Sequence, residues 1–354
     1  MEVALYLHIP FCDSKCGYCA FNSSTNQNYL KPQYMEALHT HLLQKIQHLN
    51  ISAFSSVYIG GGTPNVVDSP FYKAIFHTLQ PYLQTKSEIN IEANPNSLNL
   101  QWLKDLKSFG VNRLSLGVQS FFDKKLKFLE RTHQKDSIPK AFDIIQKAGI
   151  ENISLDLIYG TPFCTKEILE LELQKASQMP INHLSTYQLS IDEGSKFFLK
   201  NKQELEGEFE SFPSMGHFIK SSLYSFGFTQ YEVSNYARDY RCKHNISYWE
   251  RKPYLGVGAG AVSCINNIRS YGEKDIQSYI QTLKESKETL SPQDIELETL
   301  FLGFRSCVGV AEENITNQTK LQILLEEKKV EKRGNILYAK DYFLSDSLAL
   351  FLQD

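Results

Sequence analysis

Over the first 233 residues, six short runs rich in β-formers alternate with helix-length segments, and this rhythm confines the fold to parallel βα units. The runs are 3–8, 56–59, 88–92, 113–117, 152–157 and 183–189, with helix-sized stretches at 32–49, 71–83, 100–109, 137–148 and 166–179. Gly110 and Gly149 stand where two of these helices should stop, because glycine enters a left-handed C-cap without a Cβ penalty. Six parallel strands can form an open doubly wound sheet or curve into a partial barrel, and periodicity alone does not separate the two. The unusual residues do more. A cysteine loop follows the first run and Gly60-Gly61-Gly62-Thr63-Pro64 the second, while Glu92 closes the third. Gln119 lies just past the fourth, Asp156 at the end of the fifth and Ser190 past the sixth. In α/β barrels the loops at the carboxyl ends of the strands build the site, so one rim is expected to carry the function.

The cysteine loop holds Cys12, Cys16 and Cys19 at spacing C-x3-C-x2-C. Three thiolates on one loop can hold three corners of a cubic [4Fe-4S] cluster. Two positions beyond Cys19 stands Phe21 rather than a fourth ligand, so one iron is left open. An open iron takes an exchangeable ligand, and S-adenosylmethionine chelates such an iron with its amine and carboxylate. Zinc is the plainer alternative, but it usually shows paired C-x2-C units and a fourth Cys or His, and only Cys16 and Cys19 make such a pair. A disulfide framework fits worse. Seven cysteines in 354 residues is odd and sparse, and with no signal-peptide pattern a reducing, cytoplasmic compartment is expected.

Composition sets the outer bounds. At 42% hydrophobic and 12% aromatic, the chain can bury one large core and a smaller one. A formal net charge of -3 gives no basic face for nucleic acid. No apolar run approaches the roughly eighteen residues of a membrane span.

At the rim, glycine backbones can approach a ligand closely, Glu92 and Asp156 can accept hydrogen bonds from amine or ribose donors, and Arg131 can pair with a carboxylate. Singly, each would be a solvated charge or a helix cap; the shared rim is what raises them. A second dense stretch is Cys242-Lys243-His244-Asn245-Ile246-Ser247-Tyr248-Trp249. An imidazole can be an axial heme ligand, and tyrosine and tryptophan offer flat faces for a porphyrin. The blander reading is a histidine capping a turn among core aromatics, and Cys242 as a thiolate ligand stays open. The run Gly256-Val257-Gly258-Ala259-Gly260-Ala261 lacks the lysine and Ser/Thr of a P-loop, so close packing against the barrel is expected. Further on, 275–284 reads as a helix, Ser291 caps a helix over 295–304 with Pro292 in its first turn, and 321–327, 330–332 and 335–338 read as helix, strand, strand. The end of the chain is thus expected to be a small winged-helix-like α+β domain. Its mixed charges over 326–333 suit packing or a partner rather than DNA.

The cysteine spacing, with Tyr18 just before the third cysteine, resembles the signature of the radical SAM superfamily. Leu5-Tyr6-Leu7-His8-Ile9-Pro10-Phe11-Cys12, the Gly60 to Pro64 segment, Gly117-Val118-Gln119-Ser120 and Asp156-Leu157-Ile158-Tyr159-Gly160 are similar to the subfamily containing oxygen-independent coproporphyrinogen oxidase. That resemblance implies an α/β fold built as a partial (β/α)6 barrel, open at the side. It implies that Tyr6 packs on S-adenosylmethionine, that Gly61, Gly62 and Thr63 contact its methionine end, and that Glu92, Gln119, Arg131 and Asp156 complete the shell, with Tyr18 alongside. Arg131 is preceded by Glu130 where the family favours glycine. The form H-N-x-x-Y-W over His244 to Trp249 resembles the HemW branch, the heme chaperones, as do Leu184-Ser185-Thr186-Tyr187-Gln188-Leu189 and Tyr231-Glu232-Val233-Ser234-Asn235-Tyr236-Ala237. The oxidase branch carries a further cysteine where Phe21 stands and a longer amino-terminal arm. Val262 departs from the histidine that relatives often show after the glycine run.

The resemblance therefore implies a heme chaperone with His244 as heme ligand, a [4Fe-4S] cluster on Cys12, Cys16 and Cys19, and exchangeable S-adenosylmethionine. Heme would pass to respiratory hemoproteins, with the membrane surface as one place of transfer and a cluster-dependent homodimer left open. The rival function is radical decarboxylation by an oxygen-independent coproporphyrinogen III oxidase; no residue is assigned a catalytic role. The expected organisation is a radical SAM core over 1–233, a heme-motif segment over 234–284 and a small domain over 285–354.

Overall fold

The computed structural model describes residues 1–200 and 212–353. Its first half repeats one unit. The strands are β1 (Glu2–Ile9), β2 (Ala53–Gly61), β3 (Leu83–Ala93), β4 (Arg113–Gln119), β5 (Asn152–Tyr159) and β6 (His183–Gln188). Between them run α1 (Lys31–His48), α2 (Ser69–Leu79), α3 (Leu100–Phe109), α4 (Asp123–Phe128), α5 (Ser137–Ala148) and α6 (Lys166–Gln178). Each strand pairs in parallel with the next, so the sheet follows chain order from β1 to β6. A doubly wound sheet would reverse its order at a switch point; this one does not, which is the arrangement of a six-unit partial barrel. Gly110 (φ 116°) and Gly149 (φ 74°) end α3 and α5 in the left-handed conformation, as their positions predict.

Side-chain alternation explains how this sheet carries chemistry. Leu5 and Leu7, Val57 and Ile59, Ile91, Leu114 and Leu116 face the helices and are wholly buried in the main core. The intervening residues are polar and share the opposite face. Register sets Tyr6 beside Tyr58, Tyr58 beside Asn90 and Asn90 beside Arg113 in one row. The next row runs Glu92, Ser115, Ser154, His183. A parallel sheet covered on both faces usually reads as continuous apolar sequence, so a polar inner row marks a face reserved for a ligand.

The edges of the sheet are extended by short strands. Beyond β6 lie β7 (Thr229–Gln230) and β8 (Asn235–Ala237), preceded by α7 (Phe212–Ser225). Residues Lys243–Trp249 form a helix, α8, and beyond β1 come β9 (Tyr254–Val257), β10 (Val262–Ile265), β11 (Ile268–Gly272) and β12 (Glu285–Thr289), with α9 (Ile276–Thr282) between the last two. Because β11 takes β12 as its antiparallel partner, the chain belongs to the large sheet as far as Thr289, past the expected break at 285.

The second core begins after that strand. Helix α10 (Pro292–Phe304) starts with a full Ser291/Asp294 capping box, as the Ser-Pro pair predicts. Then follow β13 (Val310–Ala311), α11 (Gln318–Glu326), β14 (Val330–Arg333), β15 (Ile336–Ala339) and α12 (Ser345–Gln353), with the three strands ordered β13-β15-β14. Leu300, Phe304, Leu321, Leu337 and Leu348 pack into their own cluster. Among the described residues no helix is long and apolar enough to cross a membrane.

Candidate functional site

The cysteine loop leaves β1 and is tied down at each end. Cys12 N donates to Ser24 O (3.1 Å), Ser24 N to Pro10 O (2.8 Å) and Gly17 N to Leu129 O (3.2 Å). The glycine-rich end of β2 packs directly against it: Gly62 N donates to Ile9 O and Thr63 N to Phe11 O, both at 2.8 Å. Thr63 Oγ1 lies 3.4 Å from Cys12 Sγ and accepts from Asn94 Nδ2 at 3.1 Å. Cys12, Cys16 and Cys19 rim a cavity of about 440 Å³ whose wall also includes Tyr18, Gly61, Gly62, Thr63, Glu92, Gln119, Arg131 and Asp156. No three Cys, His, Asp or Glu side chains among the described residues converge on a single ion-sized point.

The polar groups in this cavity are unusual in their electrostatics. Burial pushes the Glu92 carboxyl up to about 7, although it accepts from Tyr58 OH (2.8 Å) and Gly61 N (3.1 Å); Asp156 nearby raises it further. Burial also raises Asp156, which accepts from Ser115 Oγ at 3.3 Å. Two desolvated carboxyls in one cavity suit hydroxyl or amine donors. Gln119 closes β4 at φ 64°, where a β-carbon costs about 1–2 kcal/mol, and its Oε1 is buried with no partner among the described residues. Arg131 donates to Cys16 Sγ (3.3 Å), Asn94 Oδ1 (2.6 Å) and Gly117 O (2.8 Å), so its charge sits against the thiols. The residue before it, Glu130, has φ 57°, which is the physical reason a glycine is favoured there. Its carboxylate is held by Lys196 (3.1 Å) and Lys200 (2.7 Å).

Tyr6 lies elsewhere. It bonds His8 Nδ1 at 3.0 Å and lines a second, adjoining cavity of about 800 Å³, not the cysteine cavity. That second cavity is walled by His244, Tyr248, Trp249, Tyr254, Val262 and Leu302, with Arg251, Lys252, Arg269 and Arg305 among its other residues. The two cavities share Phe21, Tyr58, Tyr187 and Asn245. Asn245, just past His244, thus brings the aromatic motif to the cysteine cavity.

Helix α8 carries that motif, and its start is secured from far away. Glu88 on β3 accepts from Lys243 N and His244 N at 3.0 Å each and from Cys242 Sγ at 3.3 Å. Burial alone would raise this carboxyl, but Arg113 and the two backbone N–H groups outweigh it and hold it below its ordinary value. Burial pushes the Cys242 thiol up to about 12. In this structure Cys242 is thus a buried thiol donating to Glu88. His244 is 1% exposed, its Nδ1 at 2.8 Å from Ser56 Oγ and its Nε2 at 3.0 Å from Tyr248 OH. Burial pulls its pKa down to about 4, so the ring is neutral. Iron would have to displace the Tyr248 hydroxyl from Nε2.

Residue patterns did not single out Tyr58, Arg113 or Glu88. The signal was parity: Ser56, Tyr58 and Gly60 alternate along β2 with Val57 and Ile59, and Glu88, Asn90 and Glu92 alternate along β3 with Ile89 and Ile91.

A family model described as the radical SAM superfamily matches residues 6–173. The heme chaperone HemW of Bacillus subtilis is 32% identical over 327 residues, covering 88% of this chain and 86% of that protein. The heme chaperone HemW of Synechocystis is 34% identical over 345 residues, covering 90% and 82%. The solved structure of HemN, the coproporphyrinogen III oxidase of Escherichia coli, superposes with TM-score 0.81 at 20% identity, over 99% of this chain and 90% of that one. At that identity the structural likeness speaks for the fold, and the sequence likeness for the family. The chain belongs to the HemW family within the radical SAM superfamily.

Proposed function

We propose that this protein is a heme chaperone: it binds heme in the second cavity and passes it to acceptor hemoproteins, while the adjoining cavity holds a [4Fe-4S] cluster and S-adenosylmethionine. The observation that carries this reading is the pair of cavities itself, one rimmed by three cysteines and one walled by His244 and aromatic rings, with four residues in common. The first cavity suits its group. Gly62 leaves space that a β-carbon would fill against Cys12, and Gln119 Oε1 is a buried acceptor with no donor among the described residues. Cys12, Cys16 and Cys19 would hold the cluster, which when bound can pass an electron to S-adenosylmethionine. Gly61, Gly62 and Thr63 would face the methionine end; Glu92, Asp156 and Gln119 would take amine and hydroxyl donors, with Tyr18 and Arg131 closing the wall near Cys16. Tyr6 would stand one ring away, across Tyr58.

In the second cavity His244 would ligate iron while Tyr248 and Trp249 flank the macrocycle. Arg251 and Arg269, both paired with Glu298, Lys252, paired with Glu250, and Arg305, paired with Asp346, would exchange those partners to meet its two propionates. We place the protein in the cytoplasm, with respiratory hemoproteins as acceptors, some at the membrane surface, and a cluster-dependent homodimer as its assembled form.

Heme titration of oxygen-free, cluster-reconstituted protein tests this. Wild type is expected to give a stoichiometric Soret band that His244→Ala loses or shifts, and no protoporphyrinogen from coproporphyrinogen III. Robust decarboxylation would replace the chaperone reading with the oxidase one. The pH profile adds a second check. Only neutral imidazole ligates, and with a pKa near 4 a proton competes with iron only well below pH 6, so heme affinity should stay flat from about pH 8 to 5.5. A midpoint near 6.5 would mean a solvated histidine and contradict the buried placement.

A further inference from the structure

We propose that Tyr58 is a positioning residue that couples the two cavities, so that S-adenosylmethionine bound beside the cysteines tightens heme binding at His244. This rests on the functional reading above and goes beyond it by naming the link between its two ligands.

Of the four described residues common to both cavities, Tyr58 is the one that bonds Glu92 and sets its ring beside His244. Its hydroxyl donates to Glu92 Oε1 at 2.8 Å, inside the cysteine cavity. Its ring lies 5.1 Å from the His244 imidazole at 33°, and 6.2 Å from Tyr6 at 31°. Among the described residues Glu92 accepts from Tyr58 and Gly61 N, and its charge state answers to whatever enters the cavity. Donors from a ligand favour the ionised carboxylate, and a charge-assisted bond holds the Tyr58 hydroxyl more firmly than a neutral one.

A firmly held Tyr58 matters to His244 because of what else fixes that ring. Ser56 Oγ bonds Nδ1, the tilted Tyr58 ring and the edge-on Tyr248 ring both pack against the imidazole, and the Tyr248 hydroxyl at Nε2 gives way when that nitrogen takes iron. Loosening Tyr58 frees the imidazole plane as well, and ordering it again lowers affinity. A parallel support runs along β3: Glu88, which holds the start of helix α8, lies four residues before Glu92 on the same strand face.

The test is heme titration of the full chain, reconstituted without oxygen, with and without saturating S-adenosylmethionine, alongside equilibrium dialysis of S-adenosylmethionine with and without heme. In wild type each ligand is expected to tighten the other by the same factor, about fivefold, because binding coupling is reciprocal. In Tyr58→Phe, which loses only the hydroxyl, that factor is expected to fall to about one whatever each affinity alone becomes. Glu92→Gln should remove it too and serves if Tyr58→Phe does not fold. A full-sized factor in either variant, or none in wild type that binds both ligands, overturns the coupling. Wild type that binds no heme at all overturns the functional reading itself, and the coupling with it.

Discussion

Gly62→Ala is expected to leave the chain folded but unable to retain iron. The residue has no positive φ, so the objection to a side chain is space. A β-carbon there would sit 2.6 Å from Phe11 O, 3.0 Å from Ile9 O and 3.0 Å from Cys12 Sγ. Two of these are backbone atoms and cannot swing aside. They are also the carbonyls that accept from Gly62 N and Thr63 N, so relieving the clash parts the β2 turn from the cysteine loop and displaces Cys12. Overpacking of this kind costs about 1–3 kcal/mol, which a 354-residue chain can survive, whereas a thiolate moved by about an ångström no longer meets its iron. Iron and sulfide assays on oxygen-free protein, with circular dichroism as the folding control, check this. Wild-type iron content in Gly62→Ala would mean that the loop is not held by this turn.

Lys125→Met should lower the unfolding free energy by about 3–5 kcal/mol. Lys125 and Glu172 join α4 to α6 with Nζ and Oε2 2.6 Å apart, and their side chains are 1% and 0% exposed. Glu172 also accepts from Ser120 Oγ and, at 3.3 Å, from Phe121 N. Removing the ammonium leaves a carboxylate buried with only neutral donors, which is the expensive half of breaking such a pair. Denaturant melts give the magnitude, and Lys125→Met with Glu172→Gln should recover part of the loss. The consequence reaches the site. Helix α4 leads into Leu129, whose carbonyl receives Gly17 N, and then into Arg131 against Cys16, so the single variant should also retain iron poorly. Unchanged stability would show that the pair does not brace this corner.

The strands and most helices were legible because they obey local rules: period two in the barrel's runs, glycine at Gly110 and Gly149, and, in the second core, a Ser-Pro start at Ser291. The rim was legible only in part: Glu92 stands next to last in β3 and Gln119 closes β4, whereas Asp156, expected at a strand end, lies within β5, which runs on to Tyr159, and Arg131 follows α4. What escaped was non-local. Helix α8 shows no capping residue of its own because its cap is Glu88, far back on β3. Helix α4 covers only Asp123–Phe128, too short for a period to register, and is held by the buried Lys125. The strand Glu285–Thr289 has almost no apolar side chain and exists because β11 offers it an edge. Tyr6 was tied to S-adenosylmethionine by likeness alone; in the structure its hydroxyl bonds His8 and it lines the second cavity.

The most direct test of the account is metal analysis of protein purified without oxygen, joined to electron paramagnetic resonance of the reduced sample. Three cysteine ligands and an open corner require about four irons and four sulfides per chain, with a signal that changes when S-adenosylmethionine is added. One zinc and no sulfide, in protein whose three cysteines are intact, would contradict it.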